Sequence, residues 1–452
     1  MVVVQSMKHQ AFAAITPALA SKQLLNTQNR KRVVPLMKRL AQGFAKYLDL
    51  DRNVYVLALT VTPILIALFT WYRLVPLILR DLGASDVQVS TAFAIFSAGF
   101  TLLQYPGGVL ADRWGRKPLV VYPTYAAALL YVAAGLTSNW VVLTAVLLVV
   151  NLMSALQMPA IISLIAEAVV PRRRGMAFGF YGVFISLSIA VGPALGAALL
   201  RSWTAQHLMI ATGFVLLAMA VVRHWGLAET AHQVTAGLRV GIGEMLKGRM
   251  GLLLLAATLA SVTFTLSVWG PFVPLFSKDV LGFTDEQINL LFAYGALMAI
   301  VASLVGGRII DRFGSGITLS ISTMAHGIVM LLWLLAKPFG LNTMVFAGAF
   351  FFAQVAMIGL DTLRTTMVAD DIRATALGIM GTVSGLAGSA VLVGAGYAQE
   401  FLGPAAPYYI LNILAIAAVL SLAALGRAEK AATEGQLQAA PRVAHLTDTS
   451  LK

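Results

Sequence analysis

The sequence predicts an all-α membrane protein with about twelve transmembrane helices in two similar six-helix halves. Three observations support this fold class. Of 452 residues, 59% are hydrophobic and only 11% are charged, whereas a soluble domain carries roughly 25% charged residues. The apolar residues form long runs, and a membrane-spanning helix needs about 20 of them. A short charged, glycine-rich stretch between two runs also recurs 199 residues later.

The apolar runs predict where each span lies. We expect spans at 54–79, 87–108, 118–137, 140–168, 175–200, 206–223, 251–275, 287–307, 317–336, 342–368, 374–399 and 405–426. These runs divide the chain into a basic N-terminal segment (1–50), a first bundle (51–223), a linker (224–250), a second bundle (251–426) and a tail (427–452). The N-terminal segment fits a short amphipathic helix on an anionic leaflet, a disordered tail or an organelle transit peptide.

The repeated stretch indicates two related halves. It runs from Gly107 to Pro118, and its second copy runs from Gly306 to Gly314. Asp112 and Asp311 occupy the same place in the two copies. The same register continues into the fifth run of each half, and a repeat that keeps its register so far predicts internal structural symmetry.

The basic residues predict the orientation of the chain. With the N-terminus inside, Arg80, Arg201, Lys278 and Lys337 lie in outer loops. The inner loops hold many more: Arg113, Arg116, Lys117, Arg172, Arg173, Arg174, Arg223, Arg239, Lys247, Arg249, Arg308, Arg312 and Arg373. Both termini are therefore expected in the cytoplasm. The net charge of +13 fits this bias and does not call for a nucleic-acid partner.

The charged stretch carries a family resemblance. Its residues Gly108, Asp112, Arg113, Gly115 and Arg116 resemble the signature that joins spans 2 and 3 in the major facilitator superfamily. The resemblance covers about residues 54 to 426 and says little about the substrate. It implies the twelve-helix fold of that superfamily, a central cavity between two bundles, and transport by alternating access.

The resemblance also implies a gate. The matching aspartate, here Asp112, docks on the N-terminal end of span 11 when the inner side is closed, and Arg373 stands beside that end. Arg116 and Glu167 take the positions of a charge relay. Together with Gly108, Arg113, Gly115 and Asp311, these are the expected gating residues. In the second half, Ser315 and Thr366 replace both relay charges, which favours a true pair over two unrelated surface charges.

A second resemblance lies in span 5. Gly192, Pro193 and Gly196 resemble the antiporter motif of the superfamily, although small residues there also serve close helix packing. The drug-antiporter branch usually has an arginine in span 4, where this chain has Leu147. This substitution argues against drug export of that type.

Charged and polar residues inside spans are functional candidates, because burying charge in a bilayer is costly. Asp361 and Arg364 share one face of span 10 with Gln354, and we expect Asp361 near the midplane as a proton carrier or as half of a structural ion pair. Arg73, beside Trp71 in span 1, is expected to bind an anionic substrate, to stack on Trp71 or to extend to the outer surface. Asn151 is a further expected cavity residue.

These observations predict a secondary transporter of a small solute, coupled to protons. Export of hydrophobic compounds is the alternative within the same fold, and a non-transporting membrane sensor or scaffold is the alternative of another class. The sequence has no phosphate-binding loop of the ATPase type, no metal-ligand cluster and no catalytic arrangement, so we expect neither a cofactor nor an enzyme. The expected partners are the lipid bilayer, a small-molecule substrate and a proton, for a monomer in the bacterial inner membrane.

Overall fold

The computed structural model describes residues 50–170, 173–230, 248–368 and 373–439. Twelve helices in these ranges are long and apolar enough to cross a membrane, and the described residues form no strand. Spans 1 to 6 are Arg52–Asp81, Asp86–Trp114, Arg116–Leu136, Trp140–Glu167, Arg174–Leu199 and Ala205–Gly226. Spans 7 to 12 are Gly248–Trp269, Asp285–Phe313, Ser315–Leu335, Phe339–Met367, Ala376–Leu402 and Ala406–Ala428. The predicted fold class and number of spans are confirmed.

By its contacts the chain divides into Met1–Asp51 and Arg52–Lys452, and all twelve spans belong to the second unit. The N-terminal segment before residue 50 and most of the linker lie outside the described residues. The predictions made for them therefore stay predictions.

The internal repeat is visible in the local structure of the helix ends. Ser85 begins span 2 with a capping box: its hydroxyl accepts from the Gln88 N–H at 3.3 Å, and the Gln88 side chain accepts from the Ser85 N–H at 2.8 Å. Thr284 and Gln287 form the same box at the start of span 8, at 3.3 and 3.0 Å. Equivalent side chains thus satisfy the free N–H groups of equivalent helices.

Two equivalent glycines join the long helices of the repeated stretch. Gly115 separates span 2 from span 3 with φ of 91°, and Gly314 separates span 8 from span 9 with φ of 81°. Positive φ is strained for other residues. Each sharp corner between two helices therefore depends on its glycine.

Spans 1 and 7 are interrupted at equivalent places. The first helix of span 1 ends at Phe69, a 3₁₀ turn covers Tyr72–Leu74, and a short helix covers Val75–Asp81. In span 7 the helix Gly248–Phe264 passes into a π-helical turn at Thr265–Trp269, before a short helix at Phe272–Asp279. Interrupted helices expose backbone groups, and transporters use them to line substrate sites.

The two halves pack unequally along their length. We call the end that carries Asp112 and Asp311 the loop side, and the end that carries Arg80 and Asp279 the far side. Span 2 packs on span 11, and span 5 packs on span 8. On the far side one buried apolar cluster runs through both halves and includes Trp71, Phe93, Phe272, Phe292 and Leu392. On the loop side, the second half has a cluster of its own, which includes Leu254, Leu319, Leu360, Met380 and Leu422.

Candidate functional site

A buried arginine organises the loop-side corner of the first half. The Arg116 guanidinium lies 2.8 Å from the Glu167 carboxylate and 3.4 Å from that of Asp112. Its side chain is only 5% exposed, whereas that of Asp112 is 51% exposed. The structure therefore brings the expected relay residues together across spans 2, 3 and 4. Asp112 is the most exposed of the three, and its contact with Arg116 is the longer one.

Sequence reasoning missed two residues of this corner. Glu229, just after span 6, accepts from the N–H groups of Arg116 at 2.9 Å and Lys117 at 3.1 Å. Its carboxylate thus caps the start of span 3, where the helix dipole favours negative charge. Thr230 donates to Glu167 at 2.5 Å. The only available signal was an acid directly after span 6, in a segment assigned to the linker.

A close contact also restricts position 115 to glycine. A Cβ at this position would lie 2.8 Å from the Glu229 carboxylate. A side chain would therefore displace the cap of span 3 in addition to straining the corner. The loop-side cluster, defined here as Asp112, Arg116, Glu167, Glu229 and Thr230, depends on this close approach.

Among the described residues, the second copy of the corner forms no such cluster. Ser315 takes the place of Arg116 at the start of span 9, and Asp311 is exposed. Arg312 lies over the ring of Phe313, 5.3 Å from its centre. The two corners therefore share their backbone but differ in their charges.

Polar contacts join the two halves on the far side. Arg80 forms a two-pronged ion pair with Asp279, with Nη2 to Oδ1 at 2.7 Å. Gln399 donates to Asp86 at 2.8 Å. All of these groups lie at the far-side ends of spans 1, 2, 7 and 11, where they hold the halves together.

The interrupted part of span 1 makes the deepest of these contacts. Asn289 of span 8 is fully buried and donates to the Thr70 carbonyl at 2.7 Å. A Cβ at Gly196 would lie 2.2 Å from that carbonyl, and a Cβ at Gly192 would lie 2.6 Å from the Phe69 side chain. The span-5 motif, with Pro193 buried inside an unbroken helix, thus lets span 5 approach span 1 closely. Its role as an antiporter motif stays a prediction.

Arg73 lies where the two interrupted spans meet. Its guanidinium donates to the Val268 carbonyl at 2.5 Å and lies over the rings of Trp269 and Phe292, at 4.8 and 4.5 Å from their centres. The side chain is 6% exposed, so in this structure it does not extend to the outer surface. The predicted stacking partner was Trp71, and the structure shows Trp269 in that role.

Trp71 is a correction to the predicted cavity residues. It is fully buried, donates to Thr212 of span 6 at 2.9 Å, and packs edge-on against Tyr131 of span 3. The turn after Phe69 directs successive side chains to different neighbours. Trp71 therefore faces its own bundle, while Arg73 faces the other.

The polar face predicted for span 10 lies near the loop-side end of its helix. Asp361 is six residues before the end of span 10 at Met367, about 9 Å along its axis. The midplane position was counted from Arg373, and the helix ends before that residue, so the depth of Asp361 stays a prediction. Asp361 remains 68% exposed on its side chain, and its contact with Arg364 is long, at 3.8 Å.

Arg364 takes its main partners from another span. It donates to the Ser261 hydroxyl at 2.7 Å and to the Ala257 carbonyl at 3.3 Å, both in span 7. Gln354 donates to Ser303 of span 8 at 3.1 Å. Among the described residues, the side-chain oxygen of Asn151 is buried without a partner. The face predicted for span 10 thus connects it to spans 7 and 8.

The arrangement matches a known family. The family model described as Major Facilitator Superfamily matches residues 57–392. The chain belongs to the major facilitator superfamily. This membership places it among multi-pass membrane transporters, which are not enzymes.

The relatives of this major facilitator are named for different substrates. The hexuronate transporter of Escherichia coli (strain K12) is 25% identical over 357 residues, which cover 71% of this chain and 81% of the relative. The multidrug resistance protein MdtL of Klebsiella pneumoniae is 24% identical over 374 residues, which cover 77% of this chain and 88% of the relative. Both match most of the spans at low identity.

Solved structures share the fold. A bacterial homologue of the human lysosomal transporter Spinster, in an inward-facing and unoccupied conformation, has a TM-score of 0.63 at 16% identity, covering 85% of this chain and 97% of that chain. A POT family transporter in complex with 5-aminolevulinic acid has a TM-score of 0.68 at 12% identity, covering 82% and 95%. At such identities the likeness supports the fold alone.

The role of Asp112 in this major facilitator can be tested with a single reporter cysteine, because the chain has no cysteine of its own. We expect Asp112→Asn to speed thiol labelling of Ser303→Cys, an exposed position of span 8. Loss of a carboxylate from a helix N-terminus changes the equilibrium constant between the closed and open states by about twofold to fivefold. Glu400→Gln is the control, since Glu400 is an exposed acid at the far-side end of span 11, and it should leave the rate unchanged. Equal rates in both variants would contradict the gating role.

The far-side ion pair gives a second prediction. We expect Arg80→Gln to raise labelling of Ser90→Cys by about twofold to fivefold, the range of a partly exposed pair. Ser90 is shielded here because it packs on Gly396 across the two halves. Exchanging the charges, with Arg80→Asp and Asp279→Arg together, should restore slow labelling. The variant Arg201→Gln, at an exposed arginine between spans 5 and 6, serves as the control. If the charge exchange does not restore slow labelling, the Arg80–Asp279 pair does not hold the far side closed.

Proposed function

We propose that this protein is a proton-coupled secondary transporter that moves a small solute by alternating access. One observation carries the proposal: the two halves share a buried apolar core and polar contacts on the far side, while the second half has its own core on the loop side. An assembly that is closed at one end of a two-bundle fold is one of the two states that alternating access needs. The protein acts in this proposal as a monomer.

The charges of the chain orient the two sides. The loop side carries Arg113, Arg116, Lys117, Arg308 and Arg312, and such a cluster favours the cytoplasm. In this proposal the loop side is cytoplasmic, and both termini lie on the cytoplasmic side of the bacterial inner membrane. The structure then represents the inward-facing state. The exposed Asp112 is then the free half of a gate whose partner, span 11, is engaged only when the inside closes.

Asp361 is the proposed proton carrier. Its side chain is exposed on the face of span 10 that meets span 8. It can therefore exchange a proton with the inside in this state. Arg364 keeps Ser261 and the Ala257 carbonyl as partners whether or not Asp361 is charged. This arrangement allows the aspartate to change charge without breaking the contact between spans 7 and 10.

Transport in proteoliposomes tests the proposal. The full chain would be reconstituted, and uptake of labelled glucuronate would be measured with and without an imposed pH gradient, because a relative of this chain is named as a hexuronate transporter. Uptake that rises with the gradient and collapses with a protonophore supports the proposal. Uptake of neither glucuronate nor other small solutes would favour a non-transporting sensor or scaffold.

Export of hydrophobic compounds is the second candidate. It is supported by the relative named as a multidrug resistance protein and by the Gly192-Pro193 pair in span 5. The same vesicles, loaded with a lipophilic cationic dye such as ethidium, separate the two candidates. Proton-driven dye movement without glucuronate movement would favour export.

A further inference from the structure

A buried positive charge at the junction of the two interrupted spans has no acidic partner. The Arg73 side chain is 6% exposed, and among the described residues no carboxylate forms an ion pair with it. Its Nε is buried without a hydrogen-bond partner. Burying an unpaired charge destabilises the folded protein. Such a group is therefore expected where it has a role other than stability.

The present partner of Arg73 is a weak substitute for an anion. Val268 lies in the π-helical turn that ends the first part of span 7, and its carbonyl accepts one hydrogen bond from Arg73 at 2.5 Å. A carbonyl at a helix end carries only a partial negative charge. A guanidinium offers a planar fork that matches a carboxylate with two parallel bonds.

The space beside Arg73 is apolar and belongs to both halves. A small cavity is lined from the first half by Tyr72, Arg73, Pro76 and Phe93, and from the second half by Trp269, Gly270, Pro274 and Phe292. Its volume is about 10 Å³, close to the room that one water needs. Because each half supplies one wall, the cavity must widen when the halves separate on the far side.

We propose that Arg73 is the recognition group for a small monocarboxylate. This inference rests on the proposed transport function and names its substrate class. The carboxylate accepts two parallel bonds from the free Nε–H and the Nη2–H beside it, while Nη1 keeps the Val268 carbonyl. The rings of Trp269, Phe292 and Phe93 then lie against the body of the ligand. A cationic ligand is repelled by the same guanidinium, which sets this site apart from a drug-cation site.

Binding of matched acids and amides tests the inference. The purified full chain would be titrated with benzoate against benzamide and with glucuronate against glucuronamide, with thermal stability and tryptophan fluorescence as readouts. We expect the acids to bind and the amides, which have the same shape without the charge, to bind at least about tenfold more weakly. Arg73→Gln should abolish this preference, and Arg73→Lys should keep part of it. Arg201→Gln, the exposed control, should keep all of it.

Three outcomes would overturn the inference: equal binding of acids and amides to the native chain, an unchanged preference in Arg73→Gln, or no binding of any acid in the set. If Arg73→Gln does not survive purification, the acid–amide comparison in the native chain and in Arg73→Lys still decides. The transport measurement separates this failure from that of the proposed function. Proton-driven transport of acids and amides at equal rates would reject only the substrate class. Arg73-dependent binding without transport would reject only the transport function.

Discussion

Asp361→Asn is expected to abolish proton-driven accumulation of solute while leaving exchange of solute across the membrane intact. Asparagine keeps the shape and polarity of the aspartate but cannot take up a proton. The expected loss is complete in the driven assay, because among the described residues Asp361 is the exposed carboxylate on the polar face of span 10. Substrate exchange without a gradient needs only the rocking of the two halves, so it should persist.

The measurement uses two assays on the same vesicles, one with an imposed pH gradient and one with equal pH and preloaded unlabelled solute. Glu400→Gln is the matched control, since Glu400 is an exposed acid at the far-side end of span 11 and should change neither assay. Full gradient-driven accumulation in Asp361→Asn would remove the proton-carrier role. The alternative, a structural ion pair with Arg364, predicts instead that both assays fall together with thermal stability.

The second large effect is expected at the Arg116–Glu167 pair. Glu167→Gln leaves the Arg116 guanidinium, 5% exposed, without its main counter-charge. Removing one partner of a buried pair costs about 3–5 kcal/mol, and the partly exposed Glu167 places this pair below that range. We expect each single variant to destabilise the protein, and the double variant Arg116→Gln with Glu167→Gln to show a coupling of about 1–3 kcal/mol.

The free energy of unfolding in mixed micelles measures this coupling. The internal repeat supplies a matched control, because Ser315 and Thr366 occupy the equivalent positions without charges. A cycle of Ser315→Ala and Thr366→Ala should be additive. Additivity in the charged cycle as well would show that Arg116 and Glu167 stabilise the protein independently of each other.

Much of this architecture was determined by local sequence. The twelve spans follow from runs of apolar residues, since each helix must satisfy its own backbone in lipid. The corners at Gly115 and Gly314 and the capping boxes at Ser85 and Thr284 follow from residues within one turn of their helices. The pairing of Arg116 with Glu167 is implied by the family resemblance, and the joint absence of both charges from the second half favours it.

Other features depended on how distant helices rotate against one another. Arg223 was counted as a loop charge, yet it lies in span 6, fully inside the first bundle, and donates to Thr60 and Thr124 at 3.0 Å each. Sequence alone places a residue along a helix. It does not reveal which neighbour a long side chain will reach. A basic residue near the end of a span therefore has the same sequence pattern whether it lies in a loop or is buried in the bundle.

The sequence by itself determined which segments cross the membrane, that they repeat, and where Asp112, Arg116 and Glu167 lie along them. The tertiary structure decided the partners: Arg73 on Val268, Arg80 on Asp279, and Glu229 on the start of span 3. The physical reason is the same in each case. Helix formation is governed by neighbours a few residues apart, whereas these contacts join groups more than a hundred residues apart, and the breaks in spans 1 and 7 set the direction of the side chains that make the first two.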